Sequence, residues 1–165
     1  MAKTDTDTEH FVFLLVEELS LLSFANAVEP LRIANLVSEL PLYTWSFASE
    51  DGLAVHSSSG TAMSVSHTLS DIPSCSRLFL ISGTNAPRHT SPKVLAELRR
   101  LYRHGTALGA LCSGSYALAA SGLLDGHPAA VHWEFHDAIT EQFPDVDLRP
   151  SVFVTDAPII SASGG

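Results

Sequence analysis

The stretch TALGALCSG, from Thr106 to Gly114, decides the fold. Its first six residues, Thr106 to Leu111, are small or apolar, which predicts a buried strand. The Ala- and Leu-rich stretch that follows, Ser113 to Leu124, predicts a helix that ends at Gly126. A strand that turns at once into a helix is the unit from which open α/β sheets are built.

Cys112 occupies the centre of a small-x-nucleophile-x-small pattern that runs from Ala110 to Gly114. Small neighbours are required where a tight turn from strand to helix holds its central residue in a strained backbone conformation. The pattern therefore predicts a nucleophile elbow, with Cys112 in an unfavourable backbone region near Gly83 and Thr84. The thiol would face the positive end of the helix, which favours a thiolate. The alternative is a buried cysteine whose small neighbours merely let a helix pack on a sheet.

Strands and helices alternate along the rest of the chain. Continuous apolar runs at Phe11–Val16 (FVFLLV) and Leu78–Ile81 (LFLI) predict strands buried on both faces. The other predicted elements are a helix from Ser23 to Leu40 with Ser23 as N-cap, a strand from Tyr43 to Ser49, an irregular hairpin within Asp51–Val65, a helix from Pro92 to His104, a strand from Ala129 to His132, a helix from Glu134 to Phe143, and paired strands at Val152–Val154 and Ile159–Ser161. The order predicts a flavodoxin-like, three-layer α/β sandwich with a mostly parallel sheet.

The first predicted helix carries an apolar set at helical spacing. We expect these side chains to face the core together: Phe24, Val28, Leu31, Ile33, Leu36 and Val37.

Composition and charge exclude several classes of protein. The 165 residues are 45% hydrophobic and 16% charged, with a mean hydropathy of +0.19, which is typical of one globular domain and excludes a disordered tail or a coiled coil. Nine basic residues stand against eighteen acidic ones, a net charge of −9. So acidic a surface repels phosphate backbones, and we expect no DNA binding by this chain alone.

The two ends and the cysteines set the expected context. Residues 1–10 are polar and predict a disordered leader before a single domain at 11–165. The ending SASGG resembles a strand that leads into a further helix, so we expect a longer protein. Two cysteines cannot build a disulfide framework, and we find neither a signal peptide nor an apolar run of roughly 20 residues. The expected location is cytoplasmic.

Other candidate residues follow predicted strands, and ligands of open α/β sheets bind at the carboxyl edge. This group comprises Glu17, Glu18, Gly83, Cys112 and His132. For His132 the alternative is a hydrogen-bonded structural histidine. The spacing of His132 and His136 is not HExxH, so we predict no metal site, and the glycines form no nucleotide-binding pattern.

Two motifs together resemble a known family. The elbow ALCSGSYALAASGLLDGHPAAVHW (Ala110–Trp133) resembles that of the ThiJ/PfpI superfamily, the class I glutamine-amidotransferase-like fold. FANAVEPLRIAN (Phe24–Asn35) resembles the first helix of GlxA-type, AraC-family transcriptional regulators. The resemblance covers 11–165 and implies an effector-sensing, dimerising domain. DNA would be bound only through a C-terminal helix-turn-helix domain absent from this sequence. The subgroup it resembles controls catabolism of glycine betaine, carnitine or arginine-like compounds.

The chain departs from the enzymes of that superfamily at two positions. Their acidic residue early in the first helix is Ser23 here, and the histidine that follows the cysteine in peptidase-like members is Ser113. The resemblance therefore implies a non-catalytic relative without a cofactor, whose elbow is reused for binding. The alternatives are a hydrolase or isonitrile-hydratase-like enzyme that uses Cys112, and a dimerisation module without a ligand.

The effector implied by the subgroup is a small cationic or zwitterionic metabolite. Glu17 or Glu18 would supply a counter-charge and Trp133 an aromatic face. The hydroxyls of Ser113 and Thr84 and the amides at the helix start would receive a carboxylate. Packing of Trp133 into the core is the alternative. The proposed ligand-binding set is Cys112, Ser113, Gly83, Thr84, Glu18, His132 and Trp133.

Overall fold

A computed structural model describes residues 8–164 of the chain. The strands are β1 (Glu9–Leu15), β2 (Tyr43–Ser49), β3 (Val55–His56), β4 (Ala62–Met63), β5 (His67–Thr68), β6 (Arg77–Ile81), β7 (Ala107–Leu111), β8 (Pro128–Ala129), β9 (Asp147–Leu148), β10 (Phe153–Asp156) and β11 (Ile159–Ala162). The helices are α1 (Leu21–Ser38), α2 (Ala86–His89), α3 (Pro92–Arg103), α4 (Gly114–Ala120) and α5 (His136–Gln142), with short 3-10 turns at Leu69–Asp71 and Trp133–Phe135.

The main sheet has the strand order β10-β11-β7-β6-β1-β2-β5 over the described residues. Every neighbouring pair is parallel except β10 and β11, which form an antiparallel pair. The three strands with the predicted buried runs, β1, β6 and β7, occupy the middle of the sheet. The prediction of a flavodoxin-like α/β sandwich with a mostly parallel sheet is therefore confirmed.

Both faces of β1 are buried because helices cover both sides of the sheet. Val12 and Leu14 belong to a core cluster with residues of α3 and α4, whereas Phe13 and Leu15 belong to a second cluster with Val28 of α1. Successive strand residues point to opposite faces. A continuous apolar run therefore supplies both cores, which explains why β1 shows no polar alternation.

The start of α1 corrects the prediction. Ser20, not Ser23, is the N-cap, since the Ser20 hydroxyl accepts a hydrogen bond from the Ser23 backbone N–H at 3.3 Å. Leu21 and Leu22 are strong helix formers and extend the helix toward the N-terminus. Ser23 consequently lies in the first turn, where it is buried.

The outer half of α1 corrects a second expectation. Phe24, Val28 and Leu31 pack into the second core as predicted. In contrast, Ile33, Leu36 and Val37 are 46%, 66% and 78% exposed. The helix carries apolar residues on both sides, so spacing alone did not distinguish the buried face from the exposed one.

The region after the elbow is less regular than predicted. Helix α4 ends at Ala120 rather than Leu124, because Gly122 takes a positive φ of 74°. The strand expected at Ala129–His132 reduces to β8, which pairs with β9 outside the main sheet. At Ala130, hydrogen bonds to side chains take the place of hydrogen bonds to a neighbouring strand. The Ala130 N–H donates to the Ser161 hydroxyl, and its carbonyl accepts from the Ser115 hydroxyl, both at 2.9 Å.

The helix predicted at Glu134–Phe143 divides into the 3-10 turn Trp133–Phe135 and α5. At the N-terminus, Glu9 and His10 pair with Tyr43 and Thr44, so they belong to β1 rather than to the leader. The rest of the predicted leader, residues 1–7, lies outside the described residues, as does Gly165. None of the described helices is long and apolar enough to cross a membrane.

Candidate functional site

Cys112 lies at a sharp turn between β7 and α4. Its φ of 57° is in the left-handed region that residues with a side chain rarely adopt, and its side chain is only 7% exposed. Gly114, two residues later, touches β6 so closely that an added Cβ would lie 2.5 Å from the Leu80 carbonyl oxygen. Small residues are therefore needed here, and the predicted elbow conformation is confirmed.

Three loops meet around this turn at the carboxyl edge of the sheet. Leu111 pairs with Ile81, so Cys112 follows β7 at the level where the loop after β6 begins. That loop contains Gly83, which forms a bridge with Leu19 of the loop after β1. A Cβ at Gly83 would lie 2.9 Å from the Ser20 nitrogen, so the contact requires glycine.

No acidic or basic side chain among the described residues is hydrogen-bonded to the Cys112 thiol. Its Sγ atom has one side-chain hydrogen-bond contact there, with the Ser113 hydroxyl at 3.8 Å. The hydroxyls of Ser23 and Ser82 are buried and have no hydrogen-bond partner within residues 8–164. A nucleophilic cysteine normally requires a base that a third group orients. The turn thus has the elbow backbone, and among the described residues no acid or base is hydrogen-bonded to its thiol.

Glu18 also has a left-handed backbone, with φ at 60°. Its carboxylate accepts a hydrogen bond from the Asn85 side-chain amide at 2.8 Å and lies 3.3 Å from Nε2 of His89. The hydrogen bond from Asn85 is the main cause that lowers the pKa of Glu18. Desolvation opposes it, and smaller contributions from His89 and from the charge of Arg88 lower the pKa further. Glu18 is therefore held as a carboxylate between the loop after β1 and α2.

Glu17, the preceding residue, contacts β3 in a similar way. Its carboxylate accepts from the His56 backbone N–H at 3.1 Å and approaches the His56 ring nitrogen Nδ1 at 3.3 Å. The two adjacent glutamates thus connect the loop after β1 to two different elements: Glu17 contacts β3, and Glu18 contacts α2 and its N-cap.

Three cavities open near this edge and divide the predicted site residues. Glu18 and Thr84 line a cavity of about 300 Å³ that also includes Glu17 and His56. Trp133 lines a separate one of about 200 Å³, and neither Cys112, Ser113 nor Gly83 lines any of the three. The largest, about 450 Å³, was not foreseen, because its lining residues come from four separate stretches of the chain.

The expected position of His132 at a strand end is wrong. His132 caps the 3-10 turn that follows β8, and its Nδ1 accepts from the Glu134 N–H at 3.4 Å. Trp133 is 75% exposed, so the alternative that it packs into the core is also wrong. The ring nitrogen Nε2 of His136 forms a hydrogen bond with the Val131 carbonyl at 2.9 Å. Within the described part of the chain, no three His, Cys, Asp or Glu side chains are grouped to hold a metal ion.

Comparison with known proteins gives consistent matches. The chain is 37% identical over 158 residues to the HTH-type transcriptional regulator CdhR of Pseudomonas aeruginosa, which covers 96% of this chain and 47% of the relative. It is 38% identical over 160 residues to the HTH-type transcriptional regulator GlxA of Rhizobium meliloti, covering 93% and 48%. The chain therefore spans about half the length of these curated relatives.

The structural comparison agrees with the sequence matches. The crystal structure of an AraC family transcriptional regulator from Pseudomonas putida superposes with a TM-score of 0.87 at 27% identity, covering 94% of this chain and 84% of the other. A family model described as the DJ-1/PfpI family matches residues 13–165, which include most of the sheet, the elbow and the loops around it. The chain belongs to the DJ-1/PfpI family, and the curated relatives described above are HTH-type transcriptional regulators.

Proposed function

We propose that this chain is the effector-sensing domain of an AraC-family transcriptional regulator and that it does not catalyse a reaction. The observation that carries the proposal is the elbow itself. Cys112 keeps the strained conformation, whereas serines occupy the two positions where related enzymes are expected to carry an acid and a histidine, Ser23 and Ser113. The names of the curated relatives support the regulatory role. DNA would be bound by a further domain of the full-length protein.

The effector is proposed to bind at the carboxyl edge of the sheet, against the loops that carry Cys112, Ser113, Gly83, Thr84 and Glu18. Glu18 and Thr84 already share a cavity, and the lowered pKa of Glu18 keeps a negative charge there for a cationic group. The unpaired hydroxyls of Ser23 and Ser82 offer hydrogen bonds that the described chain does not use.

His132 and Trp133 complete the proposed set from the loop after β8. The exposed Trp133 ring would bind a quaternary ammonium of the effector, an interaction of roughly 0.5–2 kcal/mol. Because Trp133 lines a different cavity from Glu18, the Trp133→Ala variant tests the share of this side chain in the site.

A thermal-shift screen with glycine betaine, carnitine and L-arginine tests the sensing function. A ligand that binds only the folded state raises the melting temperature with concentration. For a ligand that does so, we expect the Ser113→Ala and Trp133→Ala variants to bind more weakly. If both variants bind as well as the parent, the proposed set of contacts is wrong.

A cysteine-dependent hydrolase or isonitrile hydratase is the second candidate, favoured by the preserved strain at Cys112. Labelling with iodoacetamide across a pH series, with turnover of small amides and isonitriles, tests it. A depressed Cys112 pKa together with turnover that Cys112→Ala abolishes would establish the enzyme and refute the sensor.

Dimerisation is proposed to use the outer face of α1. Five large apolar side chains lie exposed on one stripe of that helix and its C-terminal extension: Leu22, Ile33, Leu36, Val37 and Leu40. Its charged neighbours Glu29 and Arg32 pair with each other at 2.6 Å. A chain of net charge −9 repels a second copy over most of its surface, so this charge-poor stripe is where two copies meet with least repulsion. A two-fold axis would place the same stripe on itself.

A further inference from the structure

The largest of the three cavities described above is not lined by the elbow residues Cys112 and Ser113. It has a volume of about 450 Å³, between the carboxyl ends of β1 and β2 and the start of α3, and we call it the β1–β2 cavity. Leu14, Val55 and Val94 give it an apolar floor. Ligand-binding cavities commonly measure roughly 300–1,000 Å³, so an amino-acid-sized molecule fits this volume.

Two basic residues without a close ion-pair partner among the described residues line the β1–β2 cavity. Arg88 and Lys93 both line it, and no carboxylate within residues 8–164 lies within 4.0 Å of either cation. Within residues 8–164, the Lys93 ammonium donates to the backbone carbonyl of Glu50, at 3.2 Å. The chain has twice as many acidic as basic residues. Two cations that lack a carboxylate partner at one cavity therefore leave N–H donors available for an anionic group of a ligand.

Glu50 and Asp51 also line the cavity, and neutral donors orient their carboxylates. The Glu50 carboxylate accepts from the Ser91 hydroxyl at 2.8 Å, and that of Asp51 accepts from the Leu53 N–H at 2.9 Å. A hydroxyl and an amide fix the direction of a carboxylate but leave its charge in place. The cavity therefore presents both signs of charge over an apolar floor.

We propose that the β1–β2 cavity binds a small zwitterion, with the carboxylate of the ligand at Arg88 and Lys93 and its cationic group at Glu50 and Asp51. A simple anion would leave the carboxylates of Glu50 and Asp51 unpaired, and a simple cation would leave Arg88 and Lys93 unpaired, so the cavity discriminates against both. This site goes beyond the proposed function, because Cys112 and Ser113 do not line it.

Isothermal titration calorimetry on the full chain tests the site. The probes are glycine betaine and L-arginine as zwitterions, acetate as an anion and tetramethylammonium as a cation. We expect at least one zwitterion to bind saturably, and acetate and tetramethylammonium to bind at least about tenfold more weakly. The loss of a charge-assisted contact reduces affinity by about tenfold or more, so Arg88→Gln and Lys93→Gln should each weaken zwitterion binding by that factor.

Two control variants separate this site from others. Arg103→Gln removes the same charge from an exposed position on α3 outside the cavity, and we expect affinity within about twofold of the parent. Binding that Ser113→Ala abolishes while Arg88→Gln and Lys93→Gln retain it would overturn the cavity site and leave the elbow site standing. Failure of both zwitterions to bind the parent would overturn the cavity site, whereas the proposed sensing function would still be judged by its own ligand screen.

Discussion

Glu18 and Cys112 share a left-handed backbone conformation, with φ values of 60° and 57°, where the chain leaves β1 and β7. These strands flank β6 on either side. Neither residue is a glycine, so each position carries steric strain that the surrounding packing maintains. Strain of this kind is concentrated at functional sites, which is why the loops of this edge are the place to test function.

Replacement of Cys112 by glycine and by alanine should separate strain from side-chain loss. Both variants remove the thiol, but only glycine accepts a φ of 57° without a Cβ penalty of roughly 1–2 kcal/mol. We expect Cys112→Gly to be more stable to chemical denaturation than Cys112→Ala by about 1 kcal/mol. Equal stability of the two variants would show that the turn relaxes in solution.

Gly114 should tolerate no side chain. A Cβ there would lie 2.5 Å from the Leu80 carbonyl oxygen and 2.8 Å from its Cδ2 atom, within the central strand β6. We expect Gly114→Ala to lower the free energy of unfolding by about 1–3 kcal/mol. Gly164→Ala is the control, because nothing lies within 4 Å of its added Cβ, and its effect should stay within about 0.5 kcal/mol. Unchanged stability in Gly114→Ala would contradict the close contact of the elbow with β6.

The carboxyl of Glu18 should titrate below the ordinary glutamate pKa of about 4.3 in NMR titration. A lowered pKa in the folded state means that the contacts with Asn85 and His89 stabilise the fold above the ordinary value and are lost as pH falls through the lowered one. Asn85→Gly removes the main donor and suits the positive φ of 55° at that position, so it should raise the pKa of Glu18.

Glu29 provides an internal control for that titration. Its pKa is lowered by the hydrogen bond from Arg32, which Asn85 does not touch, and should be the same in both proteins. A Glu18 pKa that does not move in Asn85→Gly would refute the assigned cause.

The outer face of α1 should determine the oligomeric state. Introduction of a charge by Leu36→Glu or Val37→Glu places like charges against each other across a two-fold axis, which disfavours association. We expect sedimentation velocity to show a dimer for the parent and a monomer for both variants. Leu53→Glu, at an equally exposed leucine outside α1, should remain dimeric. A monomeric parent, or dimers in all variants, would exclude this surface.

The sequence predicted the fold correctly where a local pattern of residues has a single physical cause. A run such as Phe11–Val16 has no polar side, which only a doubly covered strand satisfies. The pattern around Cys112 likewise identified the strained turn, because small residues on both sides have a local steric cause. The short hairpin of β3 and β4 falls within the irregular stretch Asp51–Val65, as expected.

The errors arise where the outcome depends on distant parts of the chain. Ile33 and Leu36 are as apolar as Val28, and only the position of the sheet decides which side is buried. His132 left its expected strand because Ala130 bonds to side chains from α4 and β11 instead of a neighbouring strand. The β1–β2 cavity brings together residues that lie tens of positions apart, so no local pattern predicts it.

The central claim, that this domain senses a metabolite and does not transform it, is tested most directly by calorimetry in which zwitterions, small amides and isonitriles are each titrated into the chain. A sensor produces heat that saturates at a fixed ligand-to-chain ratio, and the ligand is recovered unchanged. We predict that result for at least one zwitterion. Sustained heat from an amide or isonitrile, abolished by Cys112→Ala, would contradict the account, because it would show that the elbow is a working catalyst.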